Sequence, residues 1–92
     1  MSVLTDEQVR AKLADLPGWR AEGTAIVKEF AFGDFMGSIG YINRLAEVAE
    51  DANHHPDLSV SWNRVIVQWS SHEKGGVTEF DLEMAAKSDN LA

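Results

Sequence analysis

The chain has three histidines, and two of them stand side by side before a proline, His54-His55-Pro56. Glu50 lies four residues before His54, Trp62 six after Pro56, and His72 and Asp81 follow. Imidazole is the side chain whose ordinary pKa lies nearest neutrality, so it suits proton transfer. Glu50 and His54 have helical spacing, which predicts a shared face and a hydrogen bond that orients the ring. Pro56 disfavours helical geometry at His55, so the backbone changes conformation between the two rings and both can turn to one place. Positions 55 and 72 are nearly equidistant from Asn63. A hairpin turning there predicts that His72 returns beside His54 and His55.

Each residue has a plainer reading. His54 could complement a helix C-terminus, His55 could be an exposed residue before proline, and His72 could be a solvated loop residue. Convergence of all three favours chemistry over these. Three imidazoles could hold zinc, but the chain lacks the His-x3-His and His-x-His spacings that aim two rings one way, so no metal is expected. Gly75-Gly76 lacks the residues of a phosphate-binding loop. Asp81 follows Thr78 at capping distance, and capping alone explains it. Trp19 and Trp62 are more often core or interface residues than substrate platforms.

The elements that must position these residues are legible. Thr5 and Gln8 have capping-box spacing, with Leu4 and Val9 as a hydrophobic staple, and Pro17-Gly18 ends the first helix. Trp19 onward is extended, with a turn at Glu22-Gly23. Ala25 to Phe32 reads as a strand with Ile26, Phe30 and Phe32 on one face, interrupted by Lys28. Asp34 caps a second helix running to about Ala52. Its apolar positions form two stripes, Phe35-Ile39-Ile42-Ala46-Ala49 and Tyr41-Leu45-Val48-Ala52. Two stripes exceed what one core needs, which predicts a second partner on the helix at 34–52. Leu58, Val60 and Trp62 alternate with serines as a half-buried strand, Asn63 takes the left-handed turn, and Val65, Val67 and Trp69 return. A third helix starts at Thr78, with Val77 and Leu82 as its staple, and frays from Lys87 to Asn90. The order predicts an α+β fold of two layers, with helices on one sheet face.

Composition bounds the function. Ninety-two residues predict one domain over 1–92 with a modest core. A formal net charge of −7 without a basic cluster argues against nucleic-acid binding. The absence of cysteine removes thiolate chemistry and disulfides and fits a cytoplasmic protein. No signal peptide and no membrane span are read in the sequence.

The pattern Glu50-x3-His54-His55-Pro56-x5-Trp62-x9-His72-x8-Asp81 closely resembles the signature of the pterin-4a-carbinolamine dehydratases. Leu16-Pro17-Gly18-Trp19, Phe30-x-Phe32-x-Asp34-Phe35 and the segment from Gly75 to Asp81 extend the likeness to nearly the whole chain. The resemblance implies a four-stranded antiparallel sheet with three helices, assembled as homodimers or homotetramers. It implies dehydration of 4a-hydroxytetrahydropterin to quinonoid dihydropterin and water, with no metal or organic cofactor. On this reading His55 is the main acid or base, and His54 and His72 handle the 4a oxygen and hold the ring. Glu50 orients His54 or binds the pterin's polar edge. Trp19, Pro56, Ser71 and Asp81 match positions near the substrate. Animal members also serve as dimerisation cofactors of a homeodomain transcription factor. That role, or an assembly factor borrowing the fold, is the rival reading. The intact set of histidines favours the enzyme.

Overall fold

A computed structural model describes residues 2–92. The chain runs α1 (Asp6–Leu13), β1 (Arg20–Glu22), β2 (Ala25–Ala31), α2 (Phe35–Ala52), β3 (Asp57–Ser61), β4 (Arg64–Trp69) and α3 (Glu79–Leu91). The strands form one antiparallel sheet in the order β1-β2-β4-β3. The fold is α+β, as the element order predicts.

Capping sets the helix starts. Thr5 N–H donates to Gln8 Oε1 at 2.9 Å, and Gln8 N–H donates back to Thr5 Oγ1 at 3.1 Å. Asp34 Oδ1 accepts from Gly37 N–H at 2.7 Å. Each cap satisfies amide donors that the first helical turn leaves open. The third helix extends to Leu91 rather than fraying from Lys87. Two contacts hold its last turns: Ser88 is buried, and Asp89 accepts from Lys28 and Trp19.

Strand register defines the core face. Ile26 pairs with Trp69, Lys28 with Val67 and Phe30 with Val65. Directly paired residues share a side of the sheet. The apolar members of this set join Val9 of α1, Tyr41, Leu45 and Ala49 of α2, and Leu82, Met84 and Ala85 of α3 in one buried cluster. All three helices therefore cover the same face. Lys28 interrupts that face without placing a charge in the core. Its Nζ reaches Asp89 at 2.8 Å and the Pro17 carbonyl at 3.1 Å, and it lies 4.9 Å from the Phe30 ring centroid. Its stem covers apolar surface while its head finds oxygen partners.

The hairpin differs from the sequence reading. Ser61 pairs with Arg64, so the turn lies between Trp62 and Asn63. The left-handed residue is Trp62, with φ 50°, and not Asn63. Asn63 instead donates from Nδ2 to the Phe32 carbonyl at 3.1 Å. The unusual backbone at Trp62 is tied down by Ser38, whose hydroxyl donates to the Trp62 carbonyl at 2.8 Å. Leu58, Val60 and Trp62 are exposed, Trp62 at 69%. β3 is an edge strand, and the helices do not extend over it. Leu58 and Val60 nevertheless share the side of Val67 and Val65, so the predicted alternation is present but uncovered.

Tyr41 is the chain's single tyrosine, and it is fully buried, with its hydroxyl donating to the Ser88 carbonyl at 3.0 Å. Burial pushes its ionisation far above the ordinary tyrosine value of about 10. The sign follows from linkage. Above about pH 10 the unfolded chain releases this proton and the folded chain keeps it, so stability present below that pH is lost as pH rises. Near-ultraviolet absorbance should therefore show no tyrosinate in the folded protein at about pH 10.5, and its appearance should coincide with loss of structure. Tyrosinate forming in a chain that stays folded would contradict this.

Candidate active site

A sequence of backbone events brings the histidines together. α2 ends at Ala52, and Asn53 takes the left-handed conformation with φ 51°. The amide of Asn53 donates to the Glu50 carbonyl, and that of His54 to the Ala49 carbonyl, both at 3.1 Å. This closure turns the chain sharply, so His54 and His55 point away from the helix axis as the extended segment begins. β4 ends at Trp69, and Ser71 bridges to Gly76 around a short loop carrying His72. Extending the hairpin register would set His55 opposite Ser70 rather than His72. The loop after β4, not ladder pairing, brings His72 to the site. Asn53, His54, His55, Ser71, His72, Glu73, Lys74, Thr78 and Phe80 line one cavity of about 430 Å³.

His54 forms the inner wall. Its Nε2 lies 2.5 Å from Asp81 Oδ1. Its ring stacks on Trp69 with centroids 5.4 Å apart and planes at 17°, and it meets Phe80 at 5.0 Å. Trp69 is itself fixed, since it is fully buried and its Nε1 donates to Ser88 Oγ at 3.0 Å. Asp81 is 0% exposed. Its second oxygen accepts from Ser71 Oγ at 2.8 Å and from Thr78 N–H at 2.9 Å. The Ser71 and Thr78 hydroxyls are 2.9 Å apart. Capping is therefore only part of what Asp81 does. The same carboxylate caps α3, ties down the loop after β4 and orients His54. A buried carboxylate needs such partners, because an unsatisfied one is costly.

The outer pair is wetter. His55 Nε2 lies 2.6 Å from Glu50 Oε1, and His72 Nε2 lies 3.7 Å from Asp57 Oδ2. The side chains of His55 and His72 are 56% and 67% exposed. Thus each imidazole has a carboxylate facing its Nε2. No Nδ1 has a hydrogen-bond partner among the described residues. Nor do those residues hold any buried side-chain nitrogen or oxygen without a partner. The Nδ1 of His54 is therefore reachable from solvent, and His54 meets solvent along the cavity.

Several expectations are corrected. Glu50 pairs with His55 rather than His54, because the helix ends before His54 and the i to i+4 relation lapses. Glu50 is exposed and lies behind His55 rather than on the cavity wall. Pro56 is half-buried and links His55 to β3 without lining the cavity. Trp19 is not brought to the site. It is buried against Phe30 at 6.1 Å, and its indole N–H donates to Asp89. Ser71 and Asp81 are brought in, with Asp81 behind His54. Asn53, Thr78, Phe80, Glu73 and Lys74 were missed as wall residues. Only two carried a signal: Asn53, a residue suited to left-handed caps, and Thr78, the cap of α3. Among the described residues no three His, Asp or Glu side chains gather as a metal cluster, and no helix is long and apolar enough to cross a membrane.

The comparisons with known proteins agree in direction. A family model described as pterin 4 alpha carbinolamine dehydratase matches residues 2–91. A Thermosynechococcus vestitus protein, provisionally named pterin-4-alpha-carbinolamine dehydratase, is 48% identical over 89 residues, covering 97% of this chain and 94% of its own. The crystal structure of a transcriptional coactivator/pterin dehydratase from Brucella melitensis matches with a TM-score of 0.94 at 35% identity, covering 99% of each chain. A pterin dehydratase-like protein identified as a RuBisCO assembly factor in the alpha-carboxysome matches with a TM-score of 0.67 at 23% identity over 80% of this chain and 86% of its own, and it shows the fold alone.

Proposed function

We propose, from the premise that this chain belongs to the pterin-4a-carbinolamine dehydratase family, that its histidine-lined cavity dehydrates 4a-hydroxytetrahydropterin. The reaction breaks the bond between C4a and its hydroxyl and forms a double bond between C4a and N5. The N5 proton goes to a base, and the hydroxyl takes a proton from an acid and leaves as water. No electrons enter or leave, so two positioned proton carriers suffice. Positioned acids and bases each contribute roughly 10²–10⁴-fold.

The observation that carries this reading is the convergence of three imidazoles, each with a carboxylate at Nε2, on one cavity of about 430 Å³. That volume falls within the range of small-molecule sites, roughly 300–1,000 Å³. His55 is the main acid or base, because it is the solvent-facing ring held at hydrogen-bond distance by a carboxylate. His54 holds the substrate from the inner wall, and His72 serves the departing oxygen from the mouth. Neither step asks for a metal or an organic cofactor. The direct test is stopped-flow dehydration of 4a-hydroxytetrahydropterin. A folded protein that does not accelerate it would defeat the reading.

The assembly is a homo-oligomer using the helix at 34–52. Phe35 and Met36 at its start are exposed, and Ile39 and Ile42 of the same stripe are only half-buried. The Trp62 carbonyl is tied to the same helix through Ser38, and Trp62 is also exposed. An apolar surface of this kind on so small a chain favours a second copy. Sedimentation velocity should give a dimer or tetramer. Met36→Glu combined with Trp62→Glu should shift it toward the single-chain mass while the circular dichroism stays the same. A wild-type chain that sediments as a monomer would refute the assembly.

A further inference from the structure

We propose that Asp57 is a positioning residue for His72, completing a third carboxylate–imidazole pair that leaves Nδ1 as the nitrogen offered to substrate. This rests on the dehydratase reading of the same cavity. Neither the sequence pattern nor capping gives Asp57 a task. It opens β3, one residue after Pro56, and pairs in register with Gln68 of β4. Its carboxylate is free of hydrogen bonds to other side chains among the described residues, and the side chain it faces is His72, at 3.7 Å from Oδ2 to Nε2.

The other two carboxylate–imidazole pairs make this contact meaningful. His54 and His55 each take a carboxylate at Nε2, at 2.5 and 2.6 Å, and neither uses Nδ1 within the described chain. His72 repeats that polarity with a third acid from a third element. Three independent side chains sharing one orientation favour a single working edge, since a carboxylate at one ring nitrogen leaves only the other for substrate. The three pairs differ in burial. Asp81–His54 is enclosed, whereas Asp57 and His72 are 61% and 67% exposed. The Asp57–His72 pair is therefore screened by water, and its effect is modest. Both side chains are more than half exposed, so packing does not lock them at 3.7 Å. A bound substrate that excludes water from the mouth would strengthen the pair.

The test is a double-mutant cycle, because a residue that acts through another loses its effect when that other is gone. Asp57→Asn should lower kcat for pterin dehydration about two- to fivefold with little change in KM. In a His72→Ala background the same change should cost nothing further. Asp57→Glu should recover part of the loss, and high salt should shrink the difference between wild type and Asp57→Asn. An equal loss in both backgrounds, or no loss in the wild type, would overturn the assignment. A second readout needs no turnover. Without substrate, the His72 imidazole ¹⁵N resonances should move on Asp57→Asn while those of His54 and His55 stay in place. Unmoved His72 signals would refute the pairing even in an active enzyme. Absent dehydration by the wild type would refute the functional reading and leave the pairing to the resonances.

Discussion

His55→Ala is expected to lower turnover of 4a-hydroxytetrahydropterin by about 10²–10⁴-fold, the contribution typical of one positioned acid or base. The expectation comes from where His55 sits. It leaves α2 after a left-handed cap, lines the cavity, and faces Glu50 at 2.6 Å through one nitrogen. The carboxylate restrains the ring, and the second nitrogen remains open. Its exposure matters in a second way. Truncating an exposed side chain removes little packing, so the unfolding free energy should change by less than about 0.5 kcal/mol. Activity and stability should therefore separate at this position. Single-turnover kinetics beside thermal unfolding check both. A variant retaining near-normal turnover would assign the chemistry elsewhere in the cavity, with His72 the next candidate. Glu50→Gln should be milder, because it loosens the ring without removing it.

Asp81 should show the opposite coupling, with activity and stability falling together. Its two oxygens serve His54, Ser71 and the Thr78 amide, and it is fully enclosed. Asp81→Ala leaves those donors buried without an acceptor. Breaking such a network costs about 3–5 kcal/mol. In a chain of this size that should lower Tm by more than about 10 °C. Asp81→Asn keeps the shape and is the sharper probe. The amide can still accept from Ser71 and Thr78 through its oxygen, but its NH₂ then faces His54. That arrangement reverses which ring nitrogen carries hydrogen, so turnover should fall at least about 10²-fold while most of the stability survives. The ¹⁵N shifts of His54 would report the reversal directly. An Asp81→Asn protein with wild-type turnover would reduce Asp81 to a helix cap, the role that spacing alone gives it.

These two residues show how differently the sequence exposes its chemistry. The histidines are conspicuous because they are few and clustered, and a proline beside two of them marks a change of backbone. The helices at Thr5, Asp34 and Thr78 and the strand at Val65, Val67 and Trp69 are equally plain, because capping and alternation are local rules that act within a few residues. The family signature also lies in local spacing. Partner choice does not. Glu50 and His54 have helical spacing, yet the helix stops at Ala52, and the left-handed Asn53 hands His54 to Asp81, 27 residues away. Trp19 belongs to the resemblance but packs on Phe30 and bonds Asp89, a contact across 70 residues.

The hairpin makes the same division. Alternation at Leu58, Val60 and Trp62 assigns them a common face, and the register places Leu58 and Val60 on the core side. Whether that side is covered depends on strand order, and β3 lies at the edge, so these side chains remain open. The sequence by itself determined the elements, the histidine supply and the family. Tertiary structure alone decided which acid orients which imidazole, which apolar residues stay uncovered, and that Asp81 is both cap and partner. The reason is physical: helix caps and strand alternation are settled by neighbours in the chain, whereas a side-chain hydrogen bond depends on where two remote segments come to rest.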